Sequence, residues 1–277
     1  MVIVAAVQPK TYRFNEEFKN IEKAEQYIKE AVKHEAKLVA FPEGYPGPYS
    51  GPVNYSPVNS LSKLAREHGV FISAGYVKDA GNDNYFIIHT LIDDGGQQLF
   101  EYHRVQLTPK AVNDVLLNGK AAIPGDKLEV VHTKLGNIGM IICSEIYSTE
   151  LSRILALNGA DIILAPVGGM IYELANTWKT VAWTRAIENL VYTIINQNLY
   201  GMEDGIAQIS GPENILGELR TEGILYADLD LQRLSWLRSH DESLDLPKNY
   251  RVIPGLIRWR RPEIYSILTE SVNNNDT

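Results

Sequence analysis

Cysteine is nearly missing from this chain: its 277 residues contain one, Cys143. No intramolecular disulfide can form, which fits a reducing compartment. A thiolate-rich zinc site is excluded for the same reason. Histidine is sparse as well, and none of the six (34, 68, 89, 103, 132 and 240) stands in H-E-x-x-H spacing, so no metal is expected. Basic residues are outnumbered, 26 Lys and Arg against 34 Asp and Glu, for a net charge of −8. That balance repels phosphate backbones, and no nucleic-acid partner is expected. The one basic cluster, Arg258-Trp259-Arg260-Arg261, reads as a solvated or interface segment. No apolar run approaches the ~20 residues that span a bilayer, so no membrane partner is expected. The apolar N-terminus is too short for a signal sequence and reads as a strand, which makes the cytoplasm the expected location. Also absent are a G-x-S-x-G elbow, a G-x-x-x-x-G-K-[ST] loop and a G-x-G-x-x-G turn after a strand; no cofactor is expected.

What remains is an alternation of short apolar strands and amphipathic helices. Strand 2–8 precedes a helix over 15–35, where Phe18, Ile21, Ala24, Ile28, Ala31 and Val32 recur at helical spacing. Strands over 37–41 and 70–76 flank a helix over 59–68, and runs 84–92 and 97–105 are joined by the hairpin signature Asp93-Asp94-Gly95-Gly96. The second half repeats the pattern: a strand ending at Cys143, helix 148–158, strand 161–165, helix 173–189 and strand 190–196. A hairpin-like pair over 206–209 and 214–229 follows. No linker or composition shift divides the chain. The reading is one α/β domain over 1–272 with a polar tail over 273–277.

Three residues stand at strand ends, where sites assemble in α/β folds. Cys143 closes the apolar run Asn137–Ile142, a platform that fixes a sulfur while the loop beyond admits substrate. The opposing reading is a small buried hydrophobe. Glu43 follows Phe41-Pro42, where proline stops the strand. Arg104 lies near the end of a hairpin strand, in Tyr102-His103-Arg104-Val105-Gln106-Leu107-Thr108-Pro109. His103 points to the opposite face and reads as structural. Trp178 and Trp183 read as helix packing, with Tyr172 a secondary candidate for pocket lining.

Phe41-Pro42-Glu43, the Tyr102–Pro109 stretch, Gly139–Glu145, Leu157–Pro166 and Arg185-Ala186-Ile187-Glu188-Asn189 occur in the order found in the nitrilase superfamily of carbon–nitrogen hydrolases. The chain resembles that family from about residue 3 to about residue 232. The resemblance implies a four-layer α-β-β-α sandwich that associates as a homodimer or higher homo-oligomer. It implies a Glu-Lys-Cys triad acting on small amide, nitrile or carbamoyl compounds. Carried over, Cys143 is the nucleophile and Glu43 the general base, while Arg104 stands where the family has lysine. Gln106 replaces the usual histidine, and Asp114 is the nearest candidate for a second acid. Ser144 and Glu145 are oxyanion or substrate-binding candidates, together with Tyr49 on the Pro- and Gly-rich loop and Gly168 on segment 167–177.

The substitution at 104 has chemical content. Arginine supplies charge and donors but stays protonated, so it can stabilise an oxyanion and cannot shuttle a proton. Two functions remain open: a hydrolase working through a cysteine thioester, or a binding or scaffold protein with impaired chemistry. The first requires Glu43 within roughly 4–5 Å of the sulfur, hydrogen-bonded to it, with Arg104 in the same cavity.

Overall fold

The computed structural model describes residues 1–169, 174–201, 204–240 and 260–270. Alternation of side chains along the first strands decides the layering. In β1 (Val2–Gln8) and β2 (Leu38–Ala40), Val4, Ala6, Leu38 and Ala40 face a central core. Their neighbours Ala5, Val7 and Val39 face an outer one. Period-two alternation puts both sets out of water, as a sheet covered on both faces requires. The outer cover is α1 (Asn20–Lys33), which buries Ala24, Ile28 and Ala31, and α2 (Val58–His68), which buries Leu61, Leu64 and Ala65.

The first sheet continues through β3 (Phe71–Gly81), β4 (Asn84–Ile92) and β5 (Gln98–His103). After α3 (Lys110–Leu116), the two-residue β6 (Ala121–Ala122) pairs with β4. The second sheet holds β7 (Val130–Thr133), β8 (Gly136–Met140), β9 (Ile162–Leu164), β10 (Tyr192–Ile195), β11 (Ala207–Ser210) and β12 (Ile215–Leu219), in the order β12-β11-β10-β9-β8-β7. Its outer cover is α4 (Thr149–Leu157) and α5 (Ala175–Asn189). Leu155 of α4 packs directly over Gly139, and Thr193 donates to the Ala182 carbonyl of α5 at 2.9 Å. The layers are therefore α-β-β-α.

The structure corrects three parts of the sequence reading. The helix expected over 15–35 is a 3-10 segment, Phe14–Lys19, running into α1. Run 214–229 is not one arm: it breaks after β12, and β13 (Gly223–Leu229) crosses to the first sheet, antiparallel to β1 from Val2↔Leu229 to Gln8↔Gly223. There Leu225 and Ala227 join the central core while Ile224 and Tyr226 join the outer one, so the same alternation serves a different sheet. The strand expected to end at Cys143 stops at Met140. Both α3 and α6 (Leu231–Ser239) were absent from the sequence reading; α6 buries only Leu234 and Leu237, too few to stand out as a stripe.

The two sheets meet at one end. There the Asn196 carboxamide, just past β10, donates to Val7 O at 2.8 Å and Ala40 O at 2.7 Å, tying the second sheet to β1 and β2. Glu43, Cys143 and Gly168 all leave their strands (β2, β8 and β9) toward this end. Among the described residues no helix is long and apolar enough to cross a membrane.

Candidate active site

Cys143 opens a short 3-10 turn, Cys143–Tyr147, with φ of 54°. A left-handed backbone costs a non-glycine residue about 1–2 kcal/mol, so the surroundings must hold it there. Two bonds help: Cys143 N donates to Pro166 O at 2.8 Å, and Ile142 N donates to the Glu145 carboxylate at 2.6 Å. The bend presents the sulfur beyond the sheet, on a turn and not on the strand itself.

Glu43, Arg104 and Cys143 are brought together and nearly sealed, at 0%, 1% and 7% exposure. Arg104 is the hub. Its Nη1 donates to Glu43 Oε1 at 3.0 Å, Nη2 to Ser144 Oγ at 2.6 Å and Nε to Gln106 O at 2.9 Å. Three of the five N–H groups of its fork are used in these bonds. Burial opposes its charge, but the neighbouring acids, Glu43 foremost, hold its pKa above the ordinary arginine value.

The expected Glu43–Cys143 hydrogen bond is not formed. Glu43 Oε1 is turned to Arg104, and Oε2 is buried without a hydrogen-bond partner. The thiol is held neutral: burial, then the Glu43 charge, push its pKa up to about 12, against the pull of Arg104 and of the Gly168 and Ser144 N–H groups. That balance favours the neutral thiol over a preformed thiolate.

Gly168 and Tyr49 complete the wall. A Cβ at Gly168 would lie 2.7 Å from Glu43 Oε2 and 3.4 Å from the Tyr49 hydroxyl, so only glycine lets that carboxylate oxygen sit there. The Tyr49 phenol is buried; burial and then the Glu43 charge keep it protonated.

Glu145 is a correction. Its oxygens accept from Val105 N and Gln106 N at 2.7 Å each, Ile142 N at 2.6 Å and Tyr102 Oη at 2.9 Å. Four donors saturate it, leaving nothing to offer a substrate. It ties β5 and the loop after it, which carries Arg104, to the Cys143 turn. Asp114 is also corrected: it is ion-paired with Lys110 at 2.6 Å on an exposed helix. His103 bonds Glu101 at 2.9 Å and packs on Phe86, consistent with a structural role. Trp178 is buried against Tyr147. Tyr172, Arg258, Trp259 and the polar tail lie outside the described residues.

Sequence reasoning missed Asn198. Its Nδ2 donates to Glu43 O at 2.7 Å and Gly168 O at 3.2 Å, and its Oδ1 accepts from Thr11 at 2.8 Å. One side chain thus fixes the spacing between the two loops that carry Glu43 and Gly168. The polar triplet Asn196-Gln197-Asn198 directly after an apolar strand was the available signal. Among the described residues no group of three or more His, Cys, Asp or Glu is placed to hold a metal.

A carboxylate with a free oxygen, a cation and a thiol on a strained turn can together support acyl transfer to sulfur. Comparison with known proteins agrees with the architecture. The chain is 23% identical to the human omega-amidase over 267 residues, covering 90% of this chain and 91% of that one. A carbon–nitrogen hydrolase from Helicobacter pylori G27 superposes with TM-score 0.81 at 20% identity, covering 98% and 99% of the two chains. A mutant of the amidase from Nesterenkonia sp. AN1, carrying the acetamide moiety of fluoroacetamide on its active-site cysteine, superposes with TM-score 0.77 at 20% identity and 96% coverage of each. The carbon–nitrogen hydrolase profile itself matches residues 3–238, and the chain belongs to that family.

Proposed function

We propose that the protein hydrolyses small amides through a thioester on Cys143. The observation that carries this reading is the buried, unpartnered Glu43 Oε2, a proton acceptor beside the Arg104 guanidinium and near enough to the neutral Cys143 thiol for its charge to act on it. The thiol proton passes to Glu43 Oε2 as the sulfur attacks the amide carbon. Negative charge develops on the carbonyl oxygen, where Arg104 and the Ser144 and Gly168 N–H groups stabilise it. The C–N bond then breaks, and the amine leaves with the proton from Glu43. Water attacks the thioester, giving its proton to Glu43; the C–S bond breaks, the acid departs and the sulfur is reprotonated. Arg104 acts only by charge and donors, since it cannot release a proton.

The occupied fork supports the reading that arginine can serve where the family has lysine. Ser144 Oγ and Gln106 O take up donors that an ammonium would not present, and the guanidinium stays aimed at Glu43. Ammonia release from a panel of short amides and nitriles, with wild type and Cys143→Ala, tests the reading. Turnover that disappears in Cys143→Ala supports it. Wild-type protein that binds amides without turnover, and gains turnover in Arg104→Lys, establishes the binding-protein alternative.

Self-association belongs to the same reading. Ile264, Ile267 and Leu268 are all at least 60% exposed, and Ile154 and Leu157 of α4 are exposed as well. These exposed apolar groups are the surface offered for pairing with a second copy. A homodimer through this face is expected by light scattering, with Leu157→Asp and Ile267→Asp shifting it to monomer. The lone cysteine suits a reducing compartment such as the cytoplasm.

A further inference from the structure

The loop that carries Tyr49 is gripped from both sides by charged groups that the reaction does not use. Glu17 lies on the 3-10 segment before α1, yet its side chain is turned inward and 3% exposed. Its Oε2 accepts from Tyr49 N at 2.8 Å and Gly51 N at 2.7 Å, and its Oε1 from Ser50 N at 3.0 Å. Three consecutive backbone N–H groups thus converge on one carboxylate. From the other side Lys120, half-buried after α3, donates to Tyr49 O at 3.2 Å and Leu117 O at 3.1 Å. Ser50 Oγ accepts from Phe14 N at 3.1 Å, so the segment bearing Glu17 is in turn fixed by the loop.

The grip is transmitted to the site through one ring. A Cβ at Gly44, the residue after Glu43, would meet the Tyr49 ring at 2.3 Å, so the ring lies flat on the backbone beside Glu43. Its hydroxyl reaches the Gly168 position that Glu43 Oε2 also touches. The buried Tyr49 side chain therefore forms a wall between the two loops that carry Glu43 and Gly168, and its placement depends on where residues 49–51 are held.

We propose that Glu17 and Lys120 are positioning residues that set the Tyr49 wall of the amide pocket, acting on substrate binding through Tyr49 and not on the cysteine chemistry. The assignment rests on the amidase reading given above. An internal carboxylate is suited to the task because charge-assisted bonds to backbone N–H groups are shorter and stronger than neutral ones. Burial pushes the Glu17 pKa above its usual value and depresses that of Lys120, and each group's charge opposes the other's shift. Glutamine at 17 keeps one acceptor oxygen and turns an NH2 group against a backbone donor. The turn then relaxes, and the wall with it.

The test is steady-state kinetics on a short amide for wild type, Glu17→Gln, Lys120→Met, Tyr49→Ala and the two double variants with Tyr49→Ala. Glu17→Gln is expected to raise KM about tenfold with kcat changed less than about threefold, and Lys120→Met to raise KM about threefold. Both increases should vanish in the Tyr49→Ala background, since the wall they position is gone. A folded Glu17→Gln or Lys120→Met enzyme with wild-type KM overturns the assignment, as does an increase that persists in full without Tyr49. If Glu17→Gln does not fold, as a lost melting transition would show, the Lys120→Met pair decides alone. Absence of amide turnover in the wild type overturns the hydrolase reading itself, and this assignment falls with it.

Discussion

Glu43 and Glu145 are both completely buried, and Arg104 lies close enough to influence each, yet they are opposites. Glu145 accepts four hydrogen bonds from three elements and has no capacity left. Glu43 has one oxygen on Arg104 and one on nothing. A buried acceptor left unmade costs about 1–3 kcal/mol, more when charged, so a fold tolerates one only where something else is gained. The contrast teaches that burial alone does not single out a candidate base; under the proposed reading it is the unused lone pair that separates Glu43 from Glu145.

The largest expected effect comes from breaking the unused side of the pair. Glu43→Gln should lower amide turnover by about 10³-fold, the range of a lost general base, and should also lower the melting temperature because the buried Arg104 charge loses its carboxylate. The same variant removes the negative charge that adds to burial in raising the thiol pKa, so alkylation of Cys143 by iodoacetamide at pH 9 should become faster. Opposite signs in the two assays separate a base from a merely electrostatic neighbour; equal losses in both would erase the distinction.

Glu145→Gln attacks the saturated side. An NH2 group placed against backbone donors leaves buried N–H groups unpaired, and denaturant unfolding should show a loss of about 3 kcal/mol. A fully stable Glu145→Gln enzyme with abolished turnover would reverse the two roles.

Arg104→Lys sharpens the comparison at its shared partner. Lysine keeps the ion pair with Glu43 but cannot also reach Ser144 and Gln106, and kcat should fall about tenfold. Next comes pH. The thiol ionises near 9 when unfolded and near 12 in the fold. Because the folded pKa is raised, the stabilisation is present below pH 9 and is lost as pH rises through 9 to 12. The slope is at most about 1.4 kcal/mol per pH unit. Cys143→Ala should lack that component in urea melts at pH 8 and pH 10.5. Smallest of all, Tyr102→Phe removes one of the four bonds to Glu145 and should cost about 1 kcal/mol with kcat preserved.

Much of this was legible in the sequence, for identifiable reasons. Period-two strands and the stripes of α1 and α2 gave an α/β domain because burial acts on local pattern, while the four layers were implied by the family resemblance. Glu43, Arg104 and Cys143 were visible as polar residues at strand ends. The left-handed turn at Cys143 was not, since nothing local distinguishes it from one more strand residue; the Pro166 and Glu145 contacts that hold it come from elsewhere in the fold or from its own bend. Glu145 was read as facing substrate because it follows the nucleophile, whereas its partners Tyr102, Val105 and Gln106 lie about 40 positions away. Asn198 and the crossing of β13 to the first sheet were hidden for the same reason: a carboxamide or a strand does not declare a distant partner.

The central claim is that the acyl group passes through Cys143. Acid quench of the wild type during turnover of a short aliphatic amide, followed by mass spectrometry of the peptide containing this only cysteine, tests it most directly. The account predicts that peptide heavier by the acyl group, with one amine released per acyl bound in the first turnover and no adduct in Cys143→Ala. Amide turnover without acyl on Cys143, or turnover that survives Cys143→Ala, would contradict it.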